Sequence, residues 1–182
     1  MASIIVIGLR LVLPLTILRW PLGGAILSML LDALDVVLVD AFARVLGEPG
    51  EFGPFYAQID KWLDMYYLTL ELVIARRWNE PIPRQAAILL YVWRLAGVIA
   101  FETTAYRPLL LIFPNLFENF YLYILVVRRW FPRFVPRTML QLAVVLAALL
   151  VPKMIQEWAL HWEELHPWQW LRNEVLEPIL GR

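Results

Sequence analysis

The stretch QAAILLYVWRLAGVIAFETT, residues 85–104, decides the fold class. A helix rises about 1.5 Å per residue and needs about 20 mostly apolar residues to cross a bilayer core. This run supplies them, with Arg94 and Glu102 as its only charges. Five further segments of similar character flank it. Residues 3–18 contain Arg10. Residues 23–46 contain Asp32, Asp35 and Asp40, and residues 55–74 contain Asp60, Asp64 and Glu71. Residues 109–127 carry Pro114, Asn115, Glu118 and Asn119, and residues 139–160 carry Pro152 and Lys153.

Composition agrees with that reading. Of 182 residues, 61% are hydrophobic and 18% charged, and the mean hydropathy is +0.64. Soluble domains are about 45–50% apolar and about 25% charged. The expected fold is therefore all-α: a polytopic integral membrane protein of about six transmembrane helices. Residues 1–160 would form the bundle, and residues 161–182 an interfacial amphipathic tail rich in Trp and Glu. Residues 2–6 lack a basic leader and no A-x-A site follows them directly, so the first apolar segment reads as a span rather than a signal peptide.

Arginine placement sets the expected orientation. Arg19, then Arg76, Arg77 and Arg84, then Arg128, Arg129, Arg133 and Arg137 fall in three alternate loops. The intervening loops hold Arg44 with Glu48 and Glu51, and Arg107. The positive-inside rule then places both termini outside. Trp20, Trp78, Trp130, Trp158 and Trp162 fall near span ends, where amphipathic rings anchor. YYLTLELVIARRW (residues 66–78) and FYLYILVVRRW (residues 120–130) share an aromatic start and an Arg-Arg-Trp end. Either an internal repeat or two helices ending at one interface accounts for this. The composition fits a prokaryotic plasma (inner) membrane, with lipids as partners and a homo-oligomer or larger membrane protein beside so small a chain.

Charges inside apolar spans are costly and usually face the protein interior. Asp60, Asp64 and Glu71 stand at i, i+4 and i+11, one stripe with Tyr67 between them. Asp32 and Asp35 are i,i+3, and Asn115, Glu118 and Asn119 share a face. Arg94 and Glu102 add a fourth polar stripe. Acids outnumber bases, and Arg94 is the expected counter-charge to Asp35, Asp64 and Glu118. An intramembrane acidic cavity built by the second to fifth spans is the expectation, binding or translocating a cation or proton as a transporter or channel would. Asp32, Asp35, Asp60, Asp64, Glu71 and Glu118 are the cation- or proton-binding candidates, with Arg94, Glu102, Asn115 and Asn119 in support. Carboxylate oxygens suit Mg²⁺, Ca²⁺ or Mn²⁺, for which Asp32, Asp35, Asp60 and Asp64 are the ligand candidates. The alternatives are a metal-dependent intramembrane lipid enzyme, and an accessory subunit whose polar stripes only fix helix register.

Exclusions narrow the field. Absence of cysteine removes disulfides, iron–sulfur clusters and thiol nucleophiles. His161 and His166 lie beyond the last span, which disfavours histidine-ligated haem or copper inside the membrane. They are not spaced as H-E-x-x-H. No G-x-S-x-G, P-loop or G-x-G-x-x-G occurs. A formal net charge of +0 argues against nucleic acid.

Asp32-Ala-Leu-Asp35, followed by Ala43-Arg44, Phe52-Gly53 and Asp60-Lys61 before Asp64, resembles the CDP-alcohol phosphotransferase motif D-x-x-D-G-x-x-A-R…G-x-x-x-D-x-x-x-D. The resemblance implies six helices and a divalent-metal site on the second and third spans. Val36 and Tyr56 stand where the motif has glycine, Ala43-Arg44 comes late, and Ala57 follows Gly53 where aspartate is required. That family's site faces the cytoplasm, whereas the arginine pattern places the loop at residues 47–54 outside.

Overall fold

In the computed structural model, which describes residues 1–47, 56–104, 106 and 109–161, the chain is all-helical. Helix α1 spans Ala2–Val12 and continues as a 3-10 turn, Leu13–Leu18. It is followed by α2 (Pro21–Ala33), α3 (Asp35–Leu46), α4 (Tyr56–Ala75) and α5 (Pro81–Thr104). Then come α6 (Leu109–Ile112), α7 (Leu116–Trp130) and α8 (Met139–His161). Among the described residues there is no strand. The tail at 162–182, with Trp162 and His166, lies outside the described residues, as do Glu48, Glu51, Gly53 and Arg107.

Three expected spans are broken, each beside a residue that resists a continuous helix. Pro14 lacks the N–H that an α-helix needs, and the first segment tightens into the 3-10 turn there. The second bends by 66° between α2 and α3 at Leu34. Asp35 opens α3 and its carboxylate accepts the Val36 N–H, a local bond that competes with helix continuation. Residues 109–127 break at Phe113–Asn115 around Pro114, and α7 restarts with Glu118 in its first turn. Asp32 and Asp35 therefore flank a bend rather than share one helix face.

One helix among the described residues, α5, is long and apolar enough to cross a membrane. The bent pair α2 and α3 passes the same test if it counts as one span. Ala2–Leu18 and Met139–Ile155 are apolar but shorter, and Asp60, Lys61, Asp64 and Glu71 interrupt α4.

Helix α4 occupies the centre, packed against α1, α2, α5, α7 and the 3-10 turn. Tyr67 and Leu68 of α4, Ala87 of α5, and Phe117, Phe120, Tyr121 and Ile124 of α7 form the main core. A smaller core joins α1 to α3 through Val6, Val39 and Ala43. Trp78 is not an interfacial anchor: it is buried and stacks on Tyr121 with ring centroids 5.7 Å apart. Trp20 and Trp130 are exposed. The α4–α5 and α7–α8 connections lie at one end of the bundle, where Arg128 pairs with Glu80 at 3.6 Å. The two Arg-Arg-Trp segments thus end near each other.

Close approach of the 3-10 turn to α2 depends on Gly24. A Cβ there would sit 2.4 Å from the backbone nitrogen of Ile17. Gly24→Ala is expected to destabilise the fold by about 1–3 kcal/mol through overpacking. Gly8→Ala in α1, where nothing lies within 4 Å of the added methyl, should be neutral or stabilising by up to about 1 kcal/mol. Unfolding of the two variants side by side in detergent checks the contrast.

Candidate functional site: one arginine among four aspartates

An arginine inside an apolar helix must find carboxylates. Arg10 of α1, only 3% exposed, finds four. Its Nη1 donates to Asp35 Oδ2 at 2.7 Å and to Asp60 Oδ1 at 2.6 Å. Its Nη2 donates to Asp64 Oδ1 at 2.9 Å and to Asp32 Oδ1. The planar fork of guanidinium N–H groups suits this many-sided grip better than an ammonium would. The bend at Leu34 brings Asp32 and Asp35 in from α2 and α3, while the i,i+4 spacing of Asp60 and Asp64 brings both from one face of α4.

The site is graded in exposure. Asp35 is buried, whereas the Asp32 and Asp60 side chains are 31% and 30% exposed. One guanidinium meets four carboxyl groups, so acids outnumber bases among the described residues of the site. Oxygens of Asp32, Asp60 and Asp64 lie within 4.8 Å of one another. Metal–oxygen distances of about 2.0–2.6 Å place opposite ligands of one ion about 4–5 Å apart, so these donors fit a hard divalent cation. Asp35, bound to Arg10 and to the Val36 N–H, is the least free of the four expected ligands.

A second polar group sits deeper. Glu118 on α7 accepts from the Tyr67 hydroxyl at 2.9 Å and from Asn115 Nδ2 at 3.1 Å. Lys153 of α8 and Arg94 of α5 lend it positive charge. Glu71 is fully buried, and neither carboxylate oxygen has a hydrogen-bond partner among the described residues. Asn119 and Glu102 are half-buried, Glu102 with one unpartnered oxygen, and neither joins the two groups. Asp40 pairs with Arg44 at 3.0 Å along α3.

Two expectations are corrected. Arg94 is not the counter-charge to Asp35 and Asp64. It donates to the Phe113 carbonyl at 3.1 Å, beside the break at Pro114. The reason is position: α5 packs against α4, α6, α7 and α8, away from the corner that α1, α2 and α3 make with α4. The polar residues also do not line one cavity of the second to fifth expected spans. They divide into an Arg10 group on α1–α4 and a Glu118 group reached from α4, α5, α7 and α8. Arg10 carried a signal in the sequence, since an arginine amid the apolar run of α1 demands carboxylates, and Lys153 carried the same signal in α8.

Removing the Arg10 guanidinium would leave four carboxyl groups facing one another. Arg10→Met is expected to cost about 3–5 kcal/mol, the usual consequence of stripping one partner from a buried ion pair. Adding Asp35→Asn should restore part of it, as measured by unfolding in detergent. Comparison of the chain with family models, with curated proteins and with solved structures finds no match in any of the three.

Proposed function

We propose that this chain is a polytopic α-helical membrane protein that binds a divalent cation through Asp32, Asp60 and Asp64. Support for the membrane comes from where apolar side chains point. Leu89, Val92, Trp93 and Ile99 of α5 are exposed, as are Leu140, Val144, Val151 and Ile155 of α8. Leu140 is 76% exposed. Soluble proteins rarely expose apolar area on several helices at once, and a bilayer would cover it. The helices too short or too charged to pass as spans alone would cross as members of a bundle, with their charges turned to one another.

The observation that carries the cation reading is the convergence of three partly buried carboxylates, in a site where one arginine leaves acid in excess. A bound Mg²⁺, Mn²⁺ or Ca²⁺ would supply the missing positive charge. Arg10 and Asp35 form the inner wall, hold Asp32, Asp60 and Asp64 in position, and set the charge the incoming ion meets. We read the site as one for cation binding and translocation.

A specific observation keeps the lipid-enzyme reading as the second. The four aspartates that meet at Arg10 are those of the D-x-x-D and D-x-x-x-D spacing. A metal there would hold phosphate oxygens. Against it, Val36 and Tyr56 replace the motif's glycines, where a backbone without side chains would let a nucleotide approach.

Titrating Mn²⁺ into the detergent-solubilised chain should show saturable binding, and Asp60→Asn should weaken it by on the order of tenfold or more. No binding, or binding equal in Asp60→Asn, overturns the cation site and leaves the Arg10 network as a structural device of an accessory subunit. In proteoliposomes, Mn²⁺ entry supports translocation. Metal-dependent turnover of a CDP-activated lipid without entry supports the enzyme instead.

A further inference from the structure

Glu71 is the group that neither the Arg10 site nor its cation uses. It lies on the inward stripe of α4, one turn beyond Tyr67, and is fully buried, with Tyr121 and Glu118 of α7 close enough to feel its charge. Neither oxygen is hydrogen-bonded among the described residues. The nearby Tyr121 hydroxyl, stacked under Trp78, is unpartnered as well, so it does not compensate a charge on Glu71. An ionised carboxylate held away from water with no donor is so unfavourable that such a group takes up a proton instead.

Its neighbour across the helix interface is in the opposite situation. Glu118 is also buried and feels Asp32, but it has the Tyr67 hydroxyl and the Asn115 amide as donors and the charges of Lys153 and Arg94 in its favour. The groups facing the pair are Tyr67 on α4, Tyr121 on α7, Arg94 on α5, Lys153 on α8 and, more distantly, Asp32 on α2; among the described residues the side-chain donors that reach the pair, Tyr67 and Asn115, both serve Glu118. Glu118 is also the charged group that bears most directly on Glu71.

We propose that Glu71 and Glu118 form a proton-binding site, with the proton resident on Glu71 and Glu118 ionised. Passage of the proton from the Glu71 carboxyl to the Glu118 carboxylate breaks one O–H bond and forms another, with no change of oxidation state and no net charge moved out of the pair. The site lies between the Arg10 group and the arginine-rich end of the bundle. It stands whether or not the aspartates bind a cation.

Infrared spectroscopy of the full chain in detergent tests this through the carboxylic-acid carbonyl band, which carboxylates lack. At neutral pH the Glu71→Gln variant should lose one carboxyl equivalent of that band while keeping its helical circular dichroism and its Mn²⁺ titration. Glu118→Gln should keep the band and shift its frequency. An unchanged band in Glu71→Gln overturns the proposal. Loss of the band in Glu118→Gln alone also overturns it, because the proton then resides on the other glutamate. A Glu71→Gln chain that does not fold counts against it equally, since a neutral carboxyl tolerates its neutral isostere.

Discussion

The grip of four aspartates on Arg10 is the interaction on which the rest of the arrangement depends. It ties four consecutive helices to one point. α1 supplies the guanidinium, and α2, α3 and α4 supply the carboxylates. A hydrophobic core is tolerant of direction, because burial of apolar area rewards many packings. A guanidinium with fixed N–H directions is not. The bend between α2 and α3 follows from this constraint as much as from local preference. A straight helix through Leu34 would keep Asp32 and Asp35 on the same face but could not wrap them around the arginine from two directions. The cost is an excess of acidic groups over the one arginine they surround.

The second polar group shows a different solution to the same physical problem. Glu118 is made tolerable by donors and distant cations, while Glu71, one turn past Tyr67, has no hydrogen-bond donor among the described residues. Helix α4 links the two groups. Its residues 60, 64, 67 and 71 run along one side, so Asp60 and Asp64 face Arg10, Tyr67 bonds Glu118, and Glu71 lies beyond. A single helix face thus passes from partly buried aspartates to a closed glutamate. Apolar residues are also exposed on the outer faces of α5 and α8, while the two polar groups lie inside the bundle beside its apolar core.

Much of this was legible in the sequence. The helical class followed from long apolar runs. The α4 stripe followed from the spacing of Asp60, Asp64, Tyr67 and Glu71, because 3.6 residues per turn places them together whatever else the chain does. The pairing of Asn115 with Glu118 was legible for the same reason. Less legible were the helix breaks. Pro114 announces one, but Leu34 carries no breaking residue of its own, and its bend arises from what Asp35 must reach. Trp78 reads as an interfacial anchor by position, yet the chain folds it under Arg128 and against Tyr121.

What the sequence determined by itself was therefore local: which segments are helical, which residues share a face, and that acids outnumber the bases available to them. What only the tertiary structure decided was which base meets which acid. Arg10 and Arg94 both sit inside apolar helices and are equivalent candidates in one dimension. Neighbourhood separates them. α1 lies in the corner with α2, α3 and α4, whereas α5 lies against α7 and α8. Helical periodicity fixes direction within an element, but ion pairing across elements falls off steeply with distance, so the partner of a buried charge is set by the packing of helices far apart in the chain.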